Sequence, residues 1–442
     1  MAFELDPTFA SDTEKHFDTL QVHAGWAPDP TTGSAALPIY ASAAFQFDDA
    51  ADGAAKFGLA KPGNIYGRLT NTTTDAVAAR VAAVEGGTGA VAVASGHAAE
   101  ILALTNLVGA GDHIVASDSL YGGTWNIFLH TLGDLGVETT FVENNDIDAF
   151  VAATKENTKL WYVETIGNPL VDVADVPALV QAANSLPSPV PVFVDNTFAT
   201  PYLYRPAEDG AAVVIESLTK WIGGHGAALG GAVIDTGKFN WKQDPEKWHT
   251  LAKPDPSYHG AVFADVAPAA PFSTRVLANK LRDFGPTLSP YAAQLIGIGL
   301  ETLSLRVQRH SDNALAVARW LKDNPKVAWV RYSGLEDDPS HEVASRLFKH
   351  GFGGVVVFGL KSGREGGLNV VNNVRLFTHL ANVGDAKSLI IHPASTTHSQ
   401  LTPEQLKEAH LSEDLIRLSV GIEDVDDILE DIRQALDKTF GK

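Results

Sequence analysis

The sequence predicts an α/β fold built on a mainly parallel sheet, and three features carry that expectation. Short continuous apolar runs read as strands buried on both faces, helical stretches alternate with them from Thr74 onward, and polar or glycine-rich residues directly follow several strands.

Taken in order, residues 1–60 are rich in Pro, Ala and Gly with little periodicity and read as an N-terminal arm. A helix is expected over Asp75–Glu85, a strand over Ala90–Ala94, a helix after Ser95-Gly96, a strand over His113–Ala116, a helix from Trp125 and a strand over Thr139–Val142. Strands over Leu160–Glu164, Val190–Val194, Ala212–Ile215 and Gly230–Ile234 continue the series, with a helix over Val176–Ala183. Phe239–Ser289 breaks the rhythm with Trp, Pro and His and reads as an insertion beside the site. Helical periodicity returns over Pro290–Leu321. Strands over Val327–Arg331, Gly354–Phe358, Leu389–His392 and Leu415–Val420, with helices over Thr402–Ala409 and Val425–Lys438, then suit a smaller α/β domain. The expected divisions are an arm (1–60), a large domain (61–300) and a C-terminal domain (301–442).

Composition narrows the function. The 442 residues carry a formal charge of -20, which repels nucleic-acid backbones and anionic membranes. The absence of cysteine excludes disulfides, thiolate metal sites and a cysteine nucleophile, and fits a reducing compartment. The N-terminus lacks a basic segment followed by an apolar one, so the cytoplasm is the expected location. No apolar run approaches the roughly 20 residues of a membrane span.

In doubly wound sheets ligands sit beyond the carboxyl ends of strands, and four segments there bear chemistry. Ser95-Gly96-His97 opens a helix whose first N–H groups are free for a phosphate, or makes a tight turn. Asp195-Asn196-Thr197 places an acid that suits a ligand or a cap. Ser217-Leu218-Thr219-Lys220 brings a lysine out of an apolar strand toward Gly223-Gly224, a position for an engaged amine or a surface loop. Arg417, inside an apolar strand, fits a carboxylate ligand or a structural ion pair. Gly87-Thr88-Gly89 precedes a strand and so is no dinucleotide fingerprint. His392 and His398 lack the spacing and third ligand of a metal site, and no metal is expected.

Together with Tyr66-Gly67-Arg68, Tyr121-Gly122-Gly123-Thr124, Glu164-Thr165-Ile166-Gly167-Asn168-Pro169 and Arg417-Leu418-Ser419-Val420-Gly421-Ile422-Glu423, these segments give a chain that resembles, over nearly its whole length, the Cys/Met-metabolism family of pyridoxal 5'-phosphate (PLP) enzymes. The resemblance implies the aspartate-aminotransferase type of fold (fold type I). It implies that Lys220 carries PLP as a Schiff base and moves protons, and that Asp195 pairs with the ring nitrogen. Ser217, Thr219 and the amides of Gly96 and His97 would hold the phosphate, with Tyr66 and Arg68 supplied by a neighbouring subunit. Tyr121 would stack on the ring and assist proton transfer, Asn168 would contact its hydroxyl side, Arg417 would take the substrate carboxylate, and Ser388 would position substrate through its backbone. A shared site implies at least a dimer, with a tetramer of such dimers expected.

Two positions depart from the family: His97 stands where Gln or Met is usual, and Glu216 where His is frequent. The insertion with Lys253-Pro254-Asp255-Pro256-Ser257-Tyr258-His259-Gly260, and the stretch from Asn382-Val383-Gly384-Asp385 to Gln400, resemble the O-acetylhomoserine sulfhydrylase branch. The expected reaction is O-acetyl-L-homoserine with sulfide or methanethiol giving L-homocysteine or L-methionine and acetate, a step of methionine biosynthesis. Cystathionine γ-synthase and γ-lyase chemistries are the alternatives, and a non-catalytic PLP-binding scaffold is a remote one.

Overall fold

The computed structural model describes residues 15–396 and 411–441. The anticipated helix over Thr402–Ala409, together with His398, Ser399 and Gln400, lies outside them.

Seven strands form one sheet: β1 (Gly89–Val93), β2 (His113–Ser117), β3 (Glu138–Val142), β4 (Thr158–Glu164), β5 (Val192–Asp195), β6 (Val213–Glu216) and β7 (Gly231–Asp235), in the order β1-β7-β6-β5-β4-β2-β3. All neighbours are parallel except β7, which runs against both β1 and β6. The two reversals cancel, so β1 points the same way as β6 and the carboxyl ends of β1, β2, β4, β5 and β6 share one edge of the sheet.

These strands are continuously apolar because both faces are covered. Alternate residues feed different cores: Trp161, Val163, Val194 and Val214 pack on one side, and Leu160, Tyr162, Phe193 and Ile215 on the other. Helix Thr72–Glu85 lies on the first side. It starts where the Asn71 side chain accepts from the Thr73 N–H and stops at Gly86 in the left-handed conformation. Helix Gly96–Leu107 lies on the second side, capped by Ser95, whose hydroxyl accepts from the Ala98 N–H at 3.1 Å.

Residues 239–289, expected as an insertion beside the site, are packed into the second core. Their short helices place Trp241, Trp248, Phe263 and Phe272 in the second core, and the buried Asp235 carboxylate accepts from the N–H groups of Phe272 and Ser273. The irregular composition reflects aromatic packing over short turns.

The C-terminal sheet has the order β10-β11-β12-β9-β8, formed by β8 (Val327–Arg331), β9 (Val355–Leu360), β10 (Thr378–His379), β11 (Leu389–Ile391) and β12 (Leu415–Ser419). Only β10 and β11 are parallel. Helices Leu303–Lys322, Gly363–Asn373 and Val425–Thr439 cover it. The helical stretch expected over Pro290–Leu321 is two helices, Pro290–Leu300 and Leu303–Lys322, parted at Glu301-Thr302. Arg306 ties this break down by donating to the carbonyls of Trp221, Ile222 and Gly299.

Candidate active site

The register aligns Glu164 of β4 with Asp195 of β5, and Asp195 with Ile215 of β6, so the loops leaving these strands lie side by side. One Asp195 oxygen accepts from the Thr197 N–H at 2.9 Å, and the Thr197 hydroxyl accepts from the Ser217 N–H at 2.8 Å. Gly96 meets them from the end of β1: a Cβ there would stand 2.7 Å from Ser217 Cβ, so only glycine lets the two loops touch. The result is a cradle of the Ser217 hydroxyl and the first N–H groups of a twelve-residue helix, whose partial positive charge suits an anion. The Thr219 hydroxyl lies in a pair with Gly230, accepting from its N–H and donating to its carbonyl.

Lys220 occupies the turn after β6. Burial, with the Arg417 guanidinium as a second cause, pulls its ammonium down to about 8. Its Nζ donates to Asn382 Oδ1 at 2.7 Å. Asn382 was not among the expected site residues. In the sequence its stretch reads only as a resemblance to one branch, because the contact joins residues 162 apart and depends on where the chain before β11 passes.

Burial also raises the Asp195 carboxyl, and the Thr197 hydroxyl and N–H only partly offset this. Such a group gains from a cation beside it. Behind it, burial pushes Glu100 up to about 8 and holds Glu164 well above the usual carboxylate range, in both cases with Asp195 as a second cause. The Glu164 carboxyl accepts from the Tyr121 N–H at 2.7 Å, fixing the loop that carries the Tyr121 ring. That ring is 46% exposed and stacks on the His97 imidazole at a centroid distance of 5.5 Å and an interplanar angle of 26°.

From the C-terminal sheet, Arg417 on β12 donates to Asn168 Oδ1 at 2.8 Å. The guanidinium is almost wholly buried, which lowers it to about 10, still charged at neutral pH. A buried cation held by one neutral amide has donors to spare for a carboxylate.

Ser388 is differently placed. Its N–H and hydroxyl donate to the two Glu423 oxygens, its hydroxyl also accepts from the Gly421 N–H, and its carbonyl accepts from the Thr378 N–H. Every polar group of Ser388 is thus engaged in holding β11 and the residues after β12. Tyr66 and Arg68 are exposed, with the guanidinium 5.5 Å from the phenol ring, and Arg68 stands beside Gly285 and Thr287. Among the described residues no hydrogen bond joins either to Lys220, Asp195 or Ser217. His392 spends both ring nitrogens on Ser395 and the Glu413 carbonyl. Among the described residues no group of acidic and histidine side chains suits a metal ion.

The cradle at Gly96, the near-neutral Lys220 amine, the buried Asp195 and the Tyr121 plate match the phosphate, aldehyde, ring nitrogen and ring face of PLP, and the residues fit it. Fold and site together define a PLP enzyme of fold type I. The chain belongs to the family of Cys/Met metabolism PLP-dependent enzymes, whose model matches residues 18–437. It is 47% identical over 424 residues to a homocysteine synthase of Schizosaccharomyces pombe, covering 96% of this chain and 98% of that one. It is 46% identical over 422 residues to O-acetyl-L-homoserine sulfhydrylase 1 of Thermus thermophilus, covering 95% and 99%. Among solved structures, a candidate O-acetylhomoserine (thiol)-lyase of Campylobacter jejuni, crystallised with a pyridoxyl-lysine phosphate, superposes with a TM-score of 0.91 at 38% identity, covering 96% and 100%.

Proposed function

We propose that the protein catalyses γ-replacement on O-acetyl-L-homoserine: sulfide displaces acetate to give L-homocysteine, and methanethiol in its place gives L-methionine. The observation that carries this reading is the buried Lys220 amine, lowered to about 8 and held by Asn382 beside the Arg417 guanidinium. The kinship with a homocysteine synthase and a sulfhydrylase supports the choice of substrates.

PLP, when bound, supplies an electron sink for charge released at the substrate's α and β carbons. Lys220 Nζ would hold the cofactor's aldehyde carbon and, when freed, take protons from Cα and then Cβ, since an amine near neutrality at working pH both accepts and returns a proton. Asn382 keeps that amine in place between transfers. Asp195 would hold the ring nitrogen's proton, and its own raised proton affinity falls once that cation faces it. Tyr121 would cover the ring and assist proton transfer. The amides of Gly96 and His97 and the Ser217 hydroxyl would take the phosphate. Thr219 can keep the Gly230 N–H while turning its own proton to a phosphate oxygen. Arg417 would bind the α-carboxylate while Asn168 holds its other edge and reaches the ring's hydroxyl side, with Ser388 shaping that wall from behind.

Tyr66 and Arg68, exposed and away from this chain's Lys220, would complete the site of a neighbouring subunit, in a dimer that pairs into a tetramer. The arm (1–60), large domain (61–300) and C-terminal domain (301–442) are proposed as the working units. No helix among the described residues is long and apolar enough to cross a membrane, and a cytoplasmic role in methionine biosynthesis accords with the substrates.

The test is product analysis of PLP-loaded protein given O-acetyl-L-homoserine with sulfide, with cysteine and with no thiol. Homocysteine formed chiefly with sulfide supports the proposal. Cystathionine as main product moves the protein to the synthase reaction, 2-oxobutanoate in all three arms to a γ-lyase, and no product at all overturns γ-replacement.

A further inference from the structure

The imidazole of His97 is exposed, stacked on Tyr121 and within the field of Lys220, and among the described residues neither ring nitrogen makes a hydrogen bond. Its place is built for it. A side chain at Gly123 would collide with His97 Nε2 and with the Tyr121 ring, so the glycine opens the space the imidazole fills. The titratable and charged groups that face it are Tyr121, from the loop after β2, and Lys220, from the turn after β6. Burial first, and Lys220 second, push its proton affinity down, which favours the neutral ring, with a nitrogen lone pair open to a proton.

We infer that His97 is a catalytic base for the incoming thiol, resting on the γ-replacement reading above. The thiol's S–H bond breaks, its proton passes to the free imidazole nitrogen, and the sulfur lone pair forms the new S–C bond at substrate Cγ. Acetate has by then left that carbon with the electron pair of its C–O bond. The imidazolium returns its proton to water, so the net reaction releases one proton with acetate.

This role separates from cofactor binding, which uses the His97 backbone amide alone. The experiment compares the PLP-loaded parent with His97→Gln, using methanethiol and no thiol, from mildly acidic to alkaline pH. For the variant, kcat/KM toward methanethiol falls on the order of a hundredfold at neutral pH and recovers at alkaline pH, where the thiol ionises unaided. The cofactor's absorbance stays as in the parent, and thiol-free formation of 2-oxobutanoate falls far less than the reaction with methanethiol. Equal losses in both reactions, or a loss that alkaline pH does not relieve, would overturn the inference. A parent that forms no methionine while the thiol-free reaction proceeds would instead strike the γ-replacement reading.

Discussion

Lys220 and Asn382, 162 residues apart, are joined by a hydrogen bond of 2.7 Å from the amine to the amide oxygen. An amide can accept from an ammonium or an amine without fixing its charge, whereas a carboxylate would hold it as a cation. Asn382→Ala should keep PLP and lower kcat by about tenfold, the scale of a hydrogen bond worth 1–2 kcal/mol. Asn382→Asp should move the pH at which Lys220 takes up PLP upward, read from the cofactor's absorbance against pH.

Arg417 and Asn168 form the second pairing to be probed. Arg417→Lys keeps a charge but loses the planar fork, and kcat/KM for O-acetyl-L-homoserine should drop roughly a hundredfold while PLP affinity stays unchanged. Asn168→Ala leaves the guanidinium in place with one partner fewer and should cost less. Steady-state kinetics on both variants, with PLP content measured alongside, ranks the two.

Close packing at Gly96 makes the phosphate cradle sensitive to a single methyl. Gly96→Ala sets a Cβ 2.7 Å from Ser217 Cβ and 2.9 Å from its Oγ, which forces the two loops apart. PLP affinity should fall by about tenfold or more, with the fold intact by circular dichroism, because neither loop belongs to a core strand.

The buried Glu216 carboxyl at the end of β6 faces Glu85, whose other oxygen accepts from Asn196 Nδ2 at 3.0 Å. Burial first, and Glu85 second, raise Glu216 well above the usual carboxylate range, which favours its protonated form beside Glu85. A folded-state pKa above the unfolded value gives stability that is whole at low pH and lost as pH rises through the folded value. Glu216→Gln keeps a donor that cannot ionise. It should match the parent most nearly at acid pH, where both side chains are uncharged, and lose less melting temperature as pH rises through neutral to alkaline, measured by thermal unfolding across that range.

The sequence made the large sheet legible because its strands, buried on both faces, are continuous apolar runs; β2, β4 and β6 lie within two residues of expectation. Asp195, Lys220 and Arg417 were legible for the complementary reason, as charged groups at the ends of such runs or inside one. The break at Glu301-Thr302 was not, since Arg306 caps it from the following helix by reaching carbonyls near residue 222. β10 is two residues long and exists through its pairing with β11. Asn382 and the Glu85–Glu216 pair escaped for one physical reason. Asn382, within Asn382-Val383-Gly384, reads as a turn, and a Glu after a strand reads as solvated. Only the tertiary fold buries the Glu216 carboxyl against a second acid and brings Asn382 to the lysine.

The account rests on Lys220 as the amine that receives the cofactor. The direct measurement is borohydride reduction of the PLP-loaded protein followed by proteolysis and peptide mass spectrometry. Pyridoxyl phosphate on the peptide containing Lys220, and its loss in Lys220→Ala, is the result predicted. Label on another lysine, or none on any, would contradict it.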